Sequence, residues 1–386
     1  MNKSKTFVKP VRVLQVGMSP NIGGVETYLM EQFRHLDRSK VIYDFVNNTC
    51  DLGEIAFSDE IIKSGSKIYN IPSRRSNPIR HYWQWIKLLH KIAYDYVAIV
   101  HNINSMSYVY PIFLSRFFNI PIRISHSHNS FTSNLDYIRK NVCKINRKLL
   151  SWSATDYFAC SKMAGDWMFG TNTKYKIIPN SIVPSRFVYD LNKRIYIRRQ
   201  LNIKNELVIG HVGRFAYQKN QLFLIDIFKE IHKRNKNSLL LLIGAGDNKS
   251  DSYLSQVERK VNDYGLNQSV RFLGLRNDVP NLMQAIDCFV LPSHYEGFPI
   301  VGIEAQASGI PCYFSDTITQ EIKLTELAHY ISLAQSPIKW AECILKVNPQ
   351  KRRKMENEIR QAGYDIDESI KKLEEYYMAG KSYLIY

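Results

Sequence analysis

The chain has 386 residues, 45% hydrophobic and 23% charged, the balance of a globular protein, and at ~100–200 residues per domain this length implies two cores. No apolar run approaches the roughly 18 residues that cross a bilayer, and six scattered cysteines without a Cys-x-x-Cys pair exclude a disulfide scaffold or a zinc ribbon and fit reduced thiols in a cytoplasm. The net charge of +17 is uneven, with 25 Lys and Arg against 13 Asp and Glu in residues 1–190 and 27 against 22 in the rest, so a basic first half fits an anionic membrane face, an acidic substrate or nucleic acid, or a basic soluble surface alone.

The lysine-bearing start has an apolar stretch of only strand length and no small-residue cleavage site, so it reads as a first strand and not as a signal peptide. Short apolar runs then alternate with amphipathic stretches, the pattern of parallel α/β architecture. The strand candidates of the first half are Val11–Gly17, Ile42–Val46, Lys67–Ile71, Val97–His101, Ile120–Ser125, Asp156–Cys160 and Lys176–Ile178. Tyr28–His35, His81–Ile92 and Tyr108–Phe118 read as helices between them. The alternation lapses over Pro179–Arg199, a charged, turn-rich stretch taken as the linker. A second series follows with Leu207–Val212, Ser238–Gly244, Val270–Leu273, Cys288–Pro292, Pro311–Phe314 and His329–Ser332. The Lys-, Glu- and Tyr-rich tail, Lys351–Tyr386, reads as one or two closing helices. Two such series imply two doubly wound domains, with a cleft at the carboxyl ends of both sheets.

The most informative stretch is LPSHYEGFPIVGIEAQASGIP, Leu291–Pro311. A strand ends at Pro292, a polar loop carries Glu296 and Gly297, and Pro299 marks a helix start. Glu304, five residues into that helix, lies about 8 Å along its axis at roughly 1.5 Å per residue. The helix end offers free N–H groups and partial positive charge, a site for a diphosphate. A carboxylate at each depth can accept hydrogen bonds from flanking hydroxyls; a capping box with a surface glutamate is the plainer account of the same residues.

The run Pro292, Ser293, Glu296, Gly297, Phe298, Pro299, Glu304, Ala305, Ala307, Gly309 and Pro311 resembles the two-glutamate motif of family 4 of the retaining glycosyltransferases. That resemblance implies the GT-B fold, two Rossmann-like doubly wound domains facing an interdomain cleft. The expected domains are 1–185 for the acceptor, 200–365 for the nucleotide sugar, and a helix in 366–386 crossing back to the first. By resemblance Glu296 meets the donor sugar and Glu304 the ribose, with Gly297, Phe298, Pro299 and Ile300 beside them.

GHVGRFAYQKN, Gly210–Asn220, resembles the family's G-R-x-x-x-x-K element. Gly213 and Arg214 leave a strand and Lys219 precedes a helix, so the two cations can clamp a diphosphate as its charge grows. In SPNIGGVETY the glycines Gly23 and Gly24 let backbone approach a phosphate, or serve an ordinary turn; with Glu26 they match the family's G-G-x-E.

RISHSHNS, Arg123–Ser130, ends a strand with His126 and His128, two apart and so facing the same way. A metal pair is conceivable, but no third ligand of suitable spacing is visible. The resemblance instead implies a histidine near the donor sugar, with His128 preferred over His126 because Asn129 follows it. His101 and Asn102 end the preceding strand and are weaker candidates for the same cleft. Pro179–Asn180 resembles a hinge turn. Gly244, in GAG, resembles a nucleotide-contacting strand end, though a plain turn accounts for it equally. Arg276 and Asn277 are placed beside the nucleotide base. Ser315, Asp316 and Thr317 are placed near the phosphates or ribose, or act as a helix N-cap.

The expected activity is therefore retaining, metal-independent sugar transfer from a nucleotide-diphosphate sugar, most simply a UDP-sugar, with no cofactor. Arg74, Arg75, Arg80, Trp83, Trp85, Lys87 and Lys91, with Arg139–Lys148, form basic, aromatic-studded stretches that suit the inner membrane face. The resemblance is closest to capsule and exopolysaccharide enzymes, which implies a polyprenyl-diphosphate-linked saccharide as acceptor. The rivals are a nucleotide-sugar epimerase of the same fold and a nucleic-acid-binding protein; the latter lacks a grouped binding motif, so no nucleic-acid partner is expected.

Overall fold

A computed structural model describes residues 9–129, 137–246, 252–346 and 352–380. The chain divides into two compact units. One runs to Ser181 and takes in the stretch from Ile366 onward; the other is Ile182–Asp365. The first holds strands β1 Val11–Val16, β2 Val41–Asn47, β3 Ile68–Asn70, β4 Ala98–Ile103, β5 Ile122–Ser127, β6 Asp156–Ala159 and β7 Lys176–Ile177. They pair in the order β3-β2-β1-β4-β5-β6-β7, all parallel.

The second unit holds β8 Leu207–Val212, β9 Ser238–Ile243, β10 Val270–Gly274, β11 Cys288–Leu291, β12 Cys312–Ser315 and β13 Ala328–Ile331. These too are parallel, in the order β10-β9-β8-β11-β12-β13. Every strand expected from the sequence is present, the exposed edge strand β7 included; the central ones read most clearly, because parallel strands covered on both faces are unbroken apolar runs. Leu239 to Ile243 of β9, all buried, are the clearest case.

Each sheet has its own core. Leu14, Ile99, Trp85 and Leu89 meet in the first, and Leu240, Leu242, Phe228 and Trp340 in the second. Each fully buried Leu or Ile contributes about 1.5–3 kcal/mol. Strand order reverses between β1 and β4, and again between β8 and β11. In open parallel sheets the crevice outside the carboxyl ends at such a reversal is where ligands bind.

Two readings are corrected. The stretch taken as a linker contains the helix Leu191–Gln200, capped by Asp190, which accepts from the Asn192 and Lys193 N–H groups at 2.8 and 3.1 Å. Two of its cations turn inward, Arg194 and Arg198 reaching the buried Asp287 at 2.5 and 3.2 Å, while Lys193 and Arg199 are exposed. Trp85 is wholly buried, so it belongs to the core and not to a surface aromatic stripe. The tail forms two helices, Glu356–Gln361 and Ile366–Ala379. The second is held within the first unit by Glu374, which accepts from the Asp37 N–H at 2.6 Å.

Candidate active site

In the second unit the loops after β8 and β11 are laced together across the strand reversal. Lys219 Nζ stands 2.6 Å from Glu296 Oε1, and Ser293 Oγ donates to the same oxygen at 2.7 Å. Gln218 Nε2 donates to the Tyr295 carbonyl at 3.0 Å and to Glu296 Oε2 at 3.3 Å. The His294 N–H donates to the Gln218 carbonyl at 2.8 Å, and Asn220 Nδ2 to that of Pro292 at 3.0 Å. Tyr217 stacks on His294. Two carbonyl-directed hydroxyls hold the second loop from below: Ser315 Oγ and Thr317 Oγ1 donate to Ser293 O at 2.6 and 2.8 Å. Neither acts as a helix cap.

Arg214 is exposed, one residue past Gly213. Its carbonyl accepts from Gln221 Nε2 at 3.0 Å, and the same nitrogen lies 3.2 Å from His211 Nε2. His211 is buried, and desolvation pushes its pKa down to about 4, so a neutral ring braces the turn that presents Arg214. The neighbouring turn touches it backbone to backbone. The Gly213 N–H donates to Ile243 O at 2.9 Å, and a Cβ on Gly244 would stand 2.2 Å from the Gly213 carbonyl oxygen.

Beyond Glu296, the residues Gly297, Phe298 and Pro299 are buried, with Phe298 stacked on Tyr364 at 5.6 Å. The helix Ile300–Ala307 starts without a side-chain cap, its Gly302 N–H donating to the Pro299 carbonyl at 3.0 Å, and the partial positive charge of a helix start favours an anion. Ile300 and Glu304 are half-buried on it. Arg276 and Asn277 are exposed and lie past edge strand β10. Arg276 is tied to Asp278 by two bonds of 2.7 and 2.8 Å, and no bond joins it to the Lys219–Glu296 pair.

In the first unit Gly23 is the N-cap of helix Gly24–His35. Glu26 turns back to pin the loop, accepting from Ser19 N–H at 2.9 Å and Ser19 Oγ at 2.8 Å. His126 and His128 do face one side. Their ring centroids are 4.1 Å apart, and Tyr28 packs on both, at 5.3 and 4.9 Å. Desolvation holds His126 well below the ordinary histidine range and pushes His128 and His101 down to about 3. All three are neutral in the physiological range.

Residues 22–186 match the model of Glycosyltransferase Family 4, and residues 193–362 that of Glycosyl transferases group 1. A protein of Bacillus subtilis (strain 168) named glycosyltransferase EpsF is 31% identical over 376 residues, spanning 93% of this chain and 94% of that one. The chain belongs to glycosyltransferase family 4. An Escherichia coli UDP-Gal:alpha-D-GlcNAc-diphosphoundecaprenol alpha-1,3-galactosyltransferase is 27% identical over 333 residues, 81% of each chain. Among solved structures, Anabaena HepE in complex with UDP and glucose superposes with a TM-score of 0.76 at 19% identity, covering 96% of this chain and all of that one. This likeness carries the fold, GT-B.

For a family 4 glycosyltransferase the structure brings together Gly213, Arg214, Lys219, Gly244 and Glu296, and separately Tyr28, His126 and His128. Sequence reasoning missed Gln218, Ser293 as a ligand of Glu296, and the His211–Gln221 brace. Ser293 stood inside the motif and carried a signal; His211, two residues before Gly213, did so only weakly.

Proposed function

We propose that this glycosyltransferase moves a sugar, with retention and without a metal ion, from a UDP-sugar to a saccharide carried on a polyprenyl diphosphate, in cell-surface polysaccharide synthesis. The Lys219–Glu296 pair at the β8/β11 reversal carries the reading: it sets a cation for the diphosphate beside a carboxylate for sugar hydroxyls. Arg214 adds a second cation, and Glu304 takes the ribose. His128, or His126, meets the donor sugar. In the transfer the bond from the anomeric carbon to the diphosphate breaks as the acceptor oxygen bonds on the same face. The acceptor's proton passes to the departing phosphate, so charge stabilisation matters more than a strong base. The galactosyltransferase relative, with its named diphosphoundecaprenol acceptor, and the UDP-bound structural relative support the acceptor and donor classes.

A screen of nucleotide sugars by thermal shift tests the donor, because ligand at about 100 times its Kd adds roughly 2.7 kcal/mol to stability. With the donor found, Glu304→Ala is expected to raise its KM about tenfold and Glu296→Ala to lower kcat by a similar factor or more. A ribose contact is alike in ground and transition states, whereas sugar contacts tighten as positive charge develops. Wild-type kinetics in both variants would remove the assignment.

The acceptor places the enzyme on a membrane surface. Among the described residues no helix is long and apolar enough to cross one. Helix Pro78–Ile92 buries His81, Trp85, Leu89 and Ile92 and turns Ile79, Arg80, Trp83, Lys87 and Lys91 outward, an apolar and basic stripe suited to anionic lipid. The protein is expected to sediment with vesicles containing acidic lipid and not with neutral ones. Each Lys or Arg near such a surface contributes about 1 kcal/mol. Reversing Arg74, Arg75, Lys87 and Lys91 to Glu should release it, as should raised salt; equal binding to both vesicle types counts against this docking.

A further inference from the structure

At the strand reversal of the first unit, β1 and β4 meet through one buried amide. Asn102 Nδ2 donates to the Val16 carbonyl and to Gln15 Oε1, both at 3.1 Å. A backbone carbonyl can only accept, so the Val16 contact fixes which end of the amide is nitrogen. Gly17, at φ +117°, seats the two turns against each other: a Cβ there would stand 2.3 Å from the Asn102 carbonyl oxygen. Asn102 is thus held in both position and orientation.

Its one remaining polar atom, Oδ1, lies 2.9 Å from His128 Nε2. An amide oxygen has no proton to give, so the ring nitrogen must donate. A neutral imidazole with its proton on Nε2 keeps its lone pair on Nδ1. The titratable groups packed on the ring are Tyr28 and His126, and desolvation keeps the ring uncharged at neutral pH. We propose that Asn102 is a positioning residue that locks His128 as the Nε2–H tautomer, so that Nδ1 accepts a hydrogen bond from a ligand hydroxyl. This rests on the reading of the protein as a sugar transferase. It also sets a specificity: a group that can donate is accepted at that nitrogen, whereas a carboxylate or phosphate oxygen faces a lone pair.

Protein labelled with 15N-histidine tests it, because long-range proton–nitrogen correlations report which ring nitrogen carries the proton. The His128 signal is identified by its loss in His128→Gln. Wild type at neutral pH is expected to show Nε2–H. Asn102→Asp, whose carboxylate favours the charged ring, is expected to show both nitrogens protonated. Asn102→Ala is expected to show mixed tautomers with turnover reduced about tenfold, the loss of one well-formed hydrogen bond. An Nδ1–H ring in wild type overturns the proposal whether or not any variant folds, and so does an unchanged ring in Asn102→Ala. The tautomer is read without substrate, so failure of the tautomer assignment is distinguishable from failure to transfer any sugar.

Discussion

Lys219→Ala is expected to lower turnover about 100-fold, the typical cost of removing one preorganised donor from a developing anion. In the proposed reaction negative charge accumulates on the departing diphosphate, and Lys219 and Arg214 are the cations that the loop after β8 presents there. Arg214→Ala should cost a similar factor, and Arg214→Lys should recover only part of it, since an ammonium cannot reproduce a two-pronged guanidinium contact. Lys219 also stands 2.6 Å from the mostly buried Glu296, so its removal leaves that carboxylate with Ser293 and Gln218 but without the cation. The two losses should then overlap: Lys219→Ala combined with Glu296→Ala should cost less than the sum of the single effects, as for residues acting as a unit. Steady-state kinetics on the four proteins, in chelator, measure this. Wild-type kcat in Lys219→Ala, strict additivity, or an absolute need for a divalent ion would each contradict the scheme.

How much of this was legible beforehand follows from the range of the interactions. The strands were legible because burial on both faces writes itself into consecutive residues, as in Leu239–Ile243. Glu296, Glu304, Arg214 and Lys219 could be picked out as candidates because each sits in a short local run with a fixed relation to a strand end. What the sequence hides is pairing at a distance. Lys219 and Glu296 are 77 residues apart, and nothing local announces that the cation expected on the phosphate rests on the carboxylate expected on the sugar. Arg194 and Arg198 fell within a stretch taken as a linker because their partner, Asp287, lies about 90 positions away. Trp85 looked like surface because it stands among basic residues, yet on the helix it faces inward with His81 and Leu89. Asn102 drew notice only as the companion of His101; its hold on His128 depends on three strands lying side by side.

Gly244→Ala is expected to destabilise the second unit by about 3 kcal/mol or more, through the backbone of its turn and without removing any side chain. Two costs combine there. The backbone sits at φ +151°, a conformation that L side chains rarely adopt and that costs on the order of 1–3 kcal/mol. The added methyl would also meet the Gly213 carbonyl oxygen at 2.2 Å, and that atom is backbone that cannot swing aside, so the overpacking cost of about 1–3 kcal/mol applies as well. For a unit of this size roughly 3 kcal/mol is a fall of about 6–12 °C in Tm. Gly274→Ala separates the two contributions, since Gly274 also has positive φ, +66°, but a Cβ there meets nothing within 4 Å. That variant should lose only about 1–2 kcal/mol. If Gly244→Ala instead melts like Gly274→Ala, the turn after β8 has yielded to make room. Arg214, the residue after Gly213, would then move with it, and the cost should reappear as lowered kcat. Wild-type stability together with wild-type kcat would mean that the close approach of these two turns holds nothing in place.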